Sequence, residues 1–340
     1  MNQVSLPCGW AVRSLRDEDY AGICALVAAR SRMTGDGATF SREDLERWLN
    51  RPRFDREKDV LIVVDVGDTV VGMASVDNEG EPFTSVGIGV SIHPDHQENE
   101  QAWDALGAWC LKRASEIAER AEDDVRVVTH GQALPEDAAR RATLERAGFE
   151  VVRVFNRMGI DLGDLPPEPD WPDGITWRIA DIEADEGLLI GLYQETFRDH
   201  WGHVERPREV LVQAYRMQMQ TEGDLFDPSL QMLALDGDDV AGLVIARRHI
   251  GQDTSKGFIY LLGVRPAWRR RGLGLALLQH GFAELHRRGL RHVELDMDSE
   301  SLTGALRLYE RAGMHAVRQT IRYEKEVRSG VDLATRTLDQ

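Results

Sequence analysis

Residues 266–279 read PAWRRRGLGLALLQ, with three consecutive arginines, Arg269 to Arg271, directly before Gly272 and Gly274. Arg265 adds a fourth guanidinium just upstream. A helix that opens here leaves its first N–H groups unpaired and pointing outward. Its dipole adds positive potential at the same end. The glycines remove side chains that would block close approach. Together these features make a cradle for a pyrophosphate, with guanidiniums reaching the outer charges. A lone G-x-G is a weak signal. Here it follows an apolar run and opens an amphipathic helix, which strengthens it.

The elements around the loop are legible. From Gly272 to Arg288, Leu273, Ala276, Leu277, Phe282 and Leu285 share one helical face. The preceding strand, Phe258 to Val264, is almost wholly apolar and is expected to be central and buried. Downstream, HVELDMDSES (292–301) alternates, with Val293, Leu295 and Met297 on one side and Glu294, Asp296 and Asp298 on the other.

The chain also repeats itself at about half its length. AVRSLRDEDYAGICAL (11–26) parallels TWRIADIEADEGLLIGL (176–192), and the hairpin VVDVGDTVVGMASV (63–76) parallels LALDGDDVAGLVIA (233–246). VGIGVSIHPDH (86–96) matches FIYLLGVRPAW (258–268), and LERAGFEVVRVFNRMGIDL (144–162) matches YERAGMHAVRQTIRYEKEV (309–327). Each copy runs strand, helices, three or four strands, helix, strand, helix, strand, which is a mixed-sheet α/β (α+β) layer domain. Residues 1–162 and 175–328 are therefore two tandem domains. Between them, GDLPPEPDWPDG (163–174) holds four prolines and reads as a stiff linker. The tail, 329–340, lacks periodicity and is expected to be loosely held.

Composition sets outer limits. A chain of 340 residues suits two domains, and 42% hydrophobic residues suffice for ordinary cores. No apolar run approaches a membrane span. The start, MNQVSLPCGW, has neither a basic segment nor a long apolar stretch, so no signal peptide and a cytoplasmic location are expected. Cys8, Cys24 and Cys110 have no metal-type spacing and read as inert thiols. A net charge of −17 argues against nucleic acid and anionic membranes as partners and weakly favours a cationic small molecule. Monomer and homodimer both remain open.

Arg269, Gly272 and Gly274 match Q/R-x-x-G-x-G/A, the acyl-CoA loop of the GNAT acyltransferase superfamily. LYERAGM (308–314) resembles the same family's L-Y-E-x-x-G-F motif. The resemblance covers 175–327 with specific motifs and 10–162 through architecture and LERAGF. A tandem chain of this size is similar to the actinobacterial acetyltransferases of the mycothiol synthase type. The resemblance implies acetyl-CoA as co-substrate, with its pyrophosphate on the backbone amides of Arg270, Gly272, Gly274 and Leu275 and its charge met by Arg269, Arg270 and Arg271. It also implies that backbone N–H groups at the splayed strand end, Leu262 to Val264, face the thioester oxygen.

Catalytic roles follow from the same resemblance. Tyr309 would be the general acid for the departing thiolate, since a phenol near its ordinary pKa of ~10 can donate a proton. Asp296 would activate the acceptor amine, directly or through water, with Asp298 beside it attracting a cationic substrate. Where the family commonly has Asn before the last helix, this chain has Thr303. Acceptor recognition falls to the first helices, where His200, Trp201 and His203 could line an amine or sugar site. The H-x-x-H spacing has no third ligand nearby, and no metal is expected.

The first copy departs from this pattern. HPDHQENEQAW (93–103) aligns with RPAWRRRGLGL (265–275). Gln97 and Ala102 are allowed substitutes for Arg269 and Gly274. Glu100 replaces Gly272, Glu98 and Asn99 replace Arg270 and Arg271, and Leu144 stands where the second copy has Tyr309. Carboxylates in an anion cradle repel, so the first domain reads as degenerate, with a structural or substrate-shaping role. The expected activity is N-acetyl transfer to a small-molecule amine by direct attack in the second domain. The alternatives are a longer acyl-CoA donor, a non-catalytic acyl-CoA-binding module, and a tRNA-dependent aminoacyl transferase.

Overall fold

The structure is a computed structural model and describes residues 6–337 apart from 52, 79, 165, 167, 223–225, 250–252 and 302–303. Thr303 lies outside the described residues. The first copy runs β1 (Ala11–Arg13), α1 (Tyr20–Thr34), α2 (Arg42–Leu49), β2 (Val60–Val64), β3 (Val70–Asn78), β4 (Ser85–Ile92), α3 (Glu100–Ala118), β5 (Val127–Ala133), α4 (Ala138–Arg146) and β6 (Glu150–Asp161). The second repeats this order with β7 (Ile175–Ile179), α5 (Glu186–Phe197), α6 (Arg208–Glu222), β8 (Gln231–Asp236), β9 (Asp239–Arg247), β10 (Lys256–Val264), α7 (Leu273–Arg287), β11 (His292–Asp298), α8 (Ala305–Arg311) and β12 (His315–Arg328). The mixed-sheet α/β class and the internal repeat are both present.

Domain boundaries fall differently from the repeat. One compact unit comprises the chain up to Val154 together with Gln319–Leu333, and the other comprises Phe155–Arg318 with the residues from Ala334 onward. Most of β12 therefore belongs to the first unit, where Ile321–Arg328 pairs antiparallel with β5. Most of β6 belongs to the second, where Phe155–Asp161 pairs antiparallel with β11. Each copy's last strand completes the other copy's sheet. Burial enforces this exchange. Tyr323 of β12 is 1% exposed in the first unit, and Met158 of β6 is 1% exposed in the second.

In the first unit the strand order is β1-β2-β3-β4-β5-β12, and in the second it is β7-β8-β9-β10-β11-β6. Both sheets are antiparallel except at one place, β4 with β5 and β10 with β11. Each parallel pairing lasts only three residues, Ser85–Gly87 with Val128–His130 and Lys256–Phe258 with His292–Glu294. Beyond that the strands part, leaving an open edge on β4 and on β10. β10 is central, as its apolar run implies. It is buried mainly on its α7 face, since Tyr260 is exposed where a bulge interrupts its pairing with β9.

The tail is held, contrary to the expectation from its sequence. Val331 exchanges backbone hydrogen bonds with Asp124 and Arg126 in the first unit (2.7 and 2.9 Å). In the second, Thr335 does the same with Gly202 and His203 (2.7 and 2.8 Å). Extended backbone carries its own donors and acceptors and needs no periodicity to be fixed. The segment 163–174 forms no helix or strand among its described residues, and its Trp171 packs on the second unit's core.

Candidate active site

The site begins where α7 begins. Its N-cap is Gly272, at φ +90° and ψ −13°, so no side chain caps the helix. No atom lies within 4 Å of where a Cβ would stand on Gly272. The amides of Leu275 and Ala276 both turn back to the Gly272 carbonyl (3.0 and 3.1 Å). The five preceding amides, Arg270 to Gly274, make no hydrogen bond among the described residues. Arg270 itself has φ +61°, which bends the backbone into the turn. Consecutive free donors at the positive end of a helix suit an oligophosphate. Leu275 is not among them, because its amide is already consumed by the turn.

The arginines divide by role. Arg269 donates from Nε to the Val264 carbonyl (3.0 Å), from Nη2 to the Thr196 carbonyl (3.2 Å) and from Nη1 to Asp199 (2.5 Å). It is a strut between the loop and the end of α5. Arg265 is likewise committed, to Glu195 (2.8 Å) and the Val240 carbonyl (3.2 Å). Arg270 is exposed and unpaired, and Arg271 stands 4.0 Å from Asp236 with half its side chain exposed. The cations available to a ligand are therefore Arg270 and Arg271.

Strand parity orients the open edge of β10. The Arg265 N–H donates to Ala241 on the β9 side (3.0 Å). Backbone groups alternate along a strand, so the N–H groups of Val264 and Leu262 face the gap that β11 leaves. A Cβ on Gly263 would meet Thr196 Oγ1 at 2.7 Å, so this glycine lets α5 close against the strand. Gly274 plays the same part for α8, where a Cβ would sit 3.3 Å from Leu308 Cδ2. Tyr309, the next residue, packs on the same core cluster as Leu262 and Val264. Its hydroxyl makes no hydrogen bond among the described residues, and burial pushes its pKa up to about 12.

On β11 the alternation holds, with Val293, Leu295 and Met297 in the core. The acids on the other face are not free. Arg157 of β6 faces Asp296 in register and holds both its oxygens (2.5 and 2.9 Å). Glu294, 5% exposed, accepts from Lys256 and His292 on one oxygen (both 3.0 Å) and from Arg157 on the other (3.1 Å). Burial alone would raise the Glu294 pKa, but the hydrogen bonds from Lys256 and Arg157 outweigh it and hold the pKa below the usual range. Asp298 is half-buried at the strand end and accepts from the Glu300 amide (2.9 Å). Arg157 was not legible as a site residue, because the repeat assigns it to the other domain.

The helix side shows a second omission. On α5, Tyr193 stacks on Phe197 (5.2 Å), and Phe197 meets His200 (4.5 Å). Spacing of three and four residues puts these rings on one face. Burial, then the charge of Arg269, holds the His200 pKa below its ordinary value. Trp201 and His203 are occupied otherwise. Arg336 lies over the Trp201 ring (4.6 Å), and the backbone of His203 holds Thr335. Of the three expected acceptor residues, only His200 joins the aromatic face, and the other two clasp the tail.

In the first unit the matching helix end is closed. Asn99 caps α3 with its own side chain, accepting from the Ala102 amide (3.2 Å), and Glu100 opens the helix. Carbonyls at the matching strand end are taken up by side chains. Arg140 donates to the Val90 carbonyl (2.8 and 3.1 Å) and Arg30 to the Ile92 carbonyl (2.9 Å), the counterparts of Leu262 and Val264.

Known proteins resemble this chain in sequence and in fold. A model described as the acetyltransferase (GNAT) family matches residues 189–314, and one described as the acetyltransferase (GNAT) domain matches 11–150. A mycothiol acetyltransferase of Geodermatophilus obscurus is 30% identical over 314 residues, covering 90% of this chain and 96% of its own. The chain belongs to the GNAT acetyltransferase family. A mycothiol acetyltransferase of Thermobispora bispora is 34% identical over 258 residues, covering 74% of this GNAT chain and 79% of its own. A solved GCN5-related N-acetyltransferase from Sphaerobacter thermophilus matches at TM-score 0.81 and 29% identity, covering 98% of this chain and 100% of its own. A tandem GNAT protein from the clavulanic acid biosynthesis pathway shares the fold at TM-score 0.67 and 14% identity, covering 93% and 98%. This GNAT chain is an acyltransferase that uses acetyl- or acyl-CoA as co-substrate. Among the described residues, no helix is long and apolar enough to cross a membrane.

Proposed function

We propose that the second unit transfers the acetyl group of acetyl-CoA to a small-molecule amine, which attacks directly. The observation that carries this reading is the run of five unbonded amides at the uncapped start of α7, against the self-capped start of α3. When bound, acetyl-CoA supplies the acetyl group as a thioester. The amides of Arg270 to Gly274 would hold its pyrophosphate, with Arg270 and Arg271 meeting the outer charge. Leu262 and Val264 aim their N–H groups into the gap, where donors stabilise negative charge on an oxygen. Tyr309 keeps its proton at neutral pH and holds it for the leaving thiolate.

An alkyl ammonium, with a pKa of ~10, must lose a proton before it attacks. The carboxylates of β11 attract it. Asp296, forked by Arg157, serves as an anchor, and Asp298 at the strand end takes the proton, directly or through water. The aromatic face of α5 receives the acceptor's body. Since the relatives are named mycothiol acetyltransferases, a mycothiol-related amine is the first acceptor to test.

Calorimetric titration with acetyl-CoA tests the reading, on the wild type and on Gly272→Glu, which copies the first unit's loop. One site per chain, lost in the variant, supports it. Two sites would mean that Glu100 does not silence the first unit, and no binding would sink the reading.

A further inference from the structure

The first unit, assigned no ligand above, holds a cavity of about 310 Å³, at the small end of the range that ligand pockets occupy. It lies where β4 and β5 part, beyond Gly87 and His130. Trp103, Leu144 and Phe149 give it an apolar wall. Its charged lining is two guanidiniums, Arg51 and Arg140, and one carboxylate, Asp77. His130 also lines it, with Nδ1 at 3.0 Å from the Ser85 hydroxyl. Burial, then the charge of Arg322, holds the His130 pKa down at about 3, so this ring is neutral.

Arg51 has a counter-charge. It stands 3.0 Å from Asp77, and its guanidinium lies over the rings of Trp48 and Phe54 (4.8 and 4.5 Å). Arg140 lacks one. Its Nε and Nη2 donate to the Val90 carbonyl, and Nη2 also reaches the Ser91 hydroxyl (3.0 Å). The Nη1 donors make no hydrogen bond among the described residues. The nearest carboxylate, Asp137, is 3.6 Å away and already paired with Arg30, and Asp36 acts only from beyond ion-pair distance. Arg30 and Arg140 thus share Asp137, with Asp36 farther off. Burial, then the charge of Arg30, pushes the Arg140 pKa down to about 10. A half-buried guanidinium with an unused donor gains from an anion.

We propose that the first unit binds a small monocarboxylate with an apolar body, its carboxylate on Arg140 and its body against Trp103, Leu144 and Phe149. A single carboxylate matches the one nitrogen of Arg140, Nη1, that makes no hydrogen bond among the described residues. An acyl-CoA does not suit the site, because Asn99 caps the helix that would hold its phosphates and Glu98 and Glu100 flank that cap.

The test is titration of the full chain with 3-phenylpropionate and with its neutral amide, read by calorimetry and by the fluorescence of Trp48 and Trp103. The carboxylate is expected to saturate one site and the amide to bind at least about tenfold more weakly. Arg140→Gln weakens the carboxylate about tenfold to a hundredfold, and Leu144→Trp, which fills the slot, abolishes binding. A urea unfolding midpoint close to wild type in both variants shows that they are folded, and Leu144→Trp alone decides if Arg140→Gln does not fold. Four results would overturn the proposal: no saturable binding of 3-phenylpropionate, equal binding of the amide, unchanged binding in a folded Arg140→Gln or Leu144→Trp variant, or displacement by acetyl-CoA.

Discussion

Arg157 holds both carboxylate oxygens of Asp296, at 2.5 and 2.9 Å, across the β6–β11 pairing of the second unit. The same guanidinium reaches the buried Glu294 (3.1 Å), so one arginine from the first sequence copy organises the acids of the second. Removing it leaves Glu294 with only Lys256 and His292. Arg157→Ala is expected to lower stability by about 2–4 kcal/mol, as for other broken buried pairs, measured by urea unfolding. Arg157→Lys, which keeps the charge but not the fork, should recover part of that loss. If Asp296 is an anchor, Asp296→Asn raises KM for the amine more than it lowers kcat, and Asp298→Asn does the reverse.

Acid should remove the contributions of Glu294 and His130 in different pH windows. The Glu294 pKa is depressed in the folded chain. Its contribution is therefore complete above its unfolded value of ~4.3 and is lost as pH falls through the folded pKa. His130, with a folded pKa of about 3, is also depressed. For this base too, protonation favours the unfolded chain, so its destabilising effect begins as pH drops below its unfolded value of ~6.5. In urea midpoints measured from pH 7 to 4, His130→Gln should flatten the slope between about 6.5 and 4.5. Glu294→Gln should leave that region alone and flatten the slope below about 4.5. Identical slopes in variant and wild type would refute either assignment.

The repeat, the helix at 273–287 and the glycine turn that opens it are legible because each rests on local signals, such as glycine spacing and apolar periodicity. What stayed hidden depends on partners distant in sequence. Arg269 reads as a phosphate ligand until Asp199 and the Val264 and Thr196 carbonyls are seen to occupy it. Asp296 reads as a free base until Arg157 arrives from β6. The exchange of β6 and β12 has no local marker, because a strand's sequence sets which face is buried and not which sheet it joins. Trp201 looked like an acceptor residue for the same reason, since Arg336 lies far along the chain.

Gly272 separates strain from charge. Its φ of +90° is costly for any L-residue, yet open space surrounds the missing Cβ. Gly272→Ala should therefore destabilise by about 1 kcal/mol through backbone strain alone. Gly272→Glu adds a carboxylate to the cradle and should weaken acetyl-CoA by at least about tenfold more than the alanine variant. Calorimetry on the pair checks this. Equal affinity in the two variants would show that the cradle does not meet the phosphates.

Tyr309 offers the cleanest test of chemistry, because its hydroxyl makes no hydrogen bond among the described residues. Tyr309→Phe removes no protein partner and leaves the ring's packing on the core intact, so its unfolding midpoint should stay close to wild type. Acetyl-CoA affinity should also persist, since the unbonded amides at the start of α7 lie on another element. If the phenol supplies the proton to the leaving thiolate, kcat falls by about 10² or more. With a pKa of about 12, the phenol also contributes no alkaline limb to the rate profile between about pH 7 and 10. A folded, acetyl-CoA-binding variant with unchanged kcat would reduce Tyr309 to a packing residue. A collapse of kcat at constant stability and constant acetyl-CoA affinity has no structural explanation in this site and would fix the role as proton transfer.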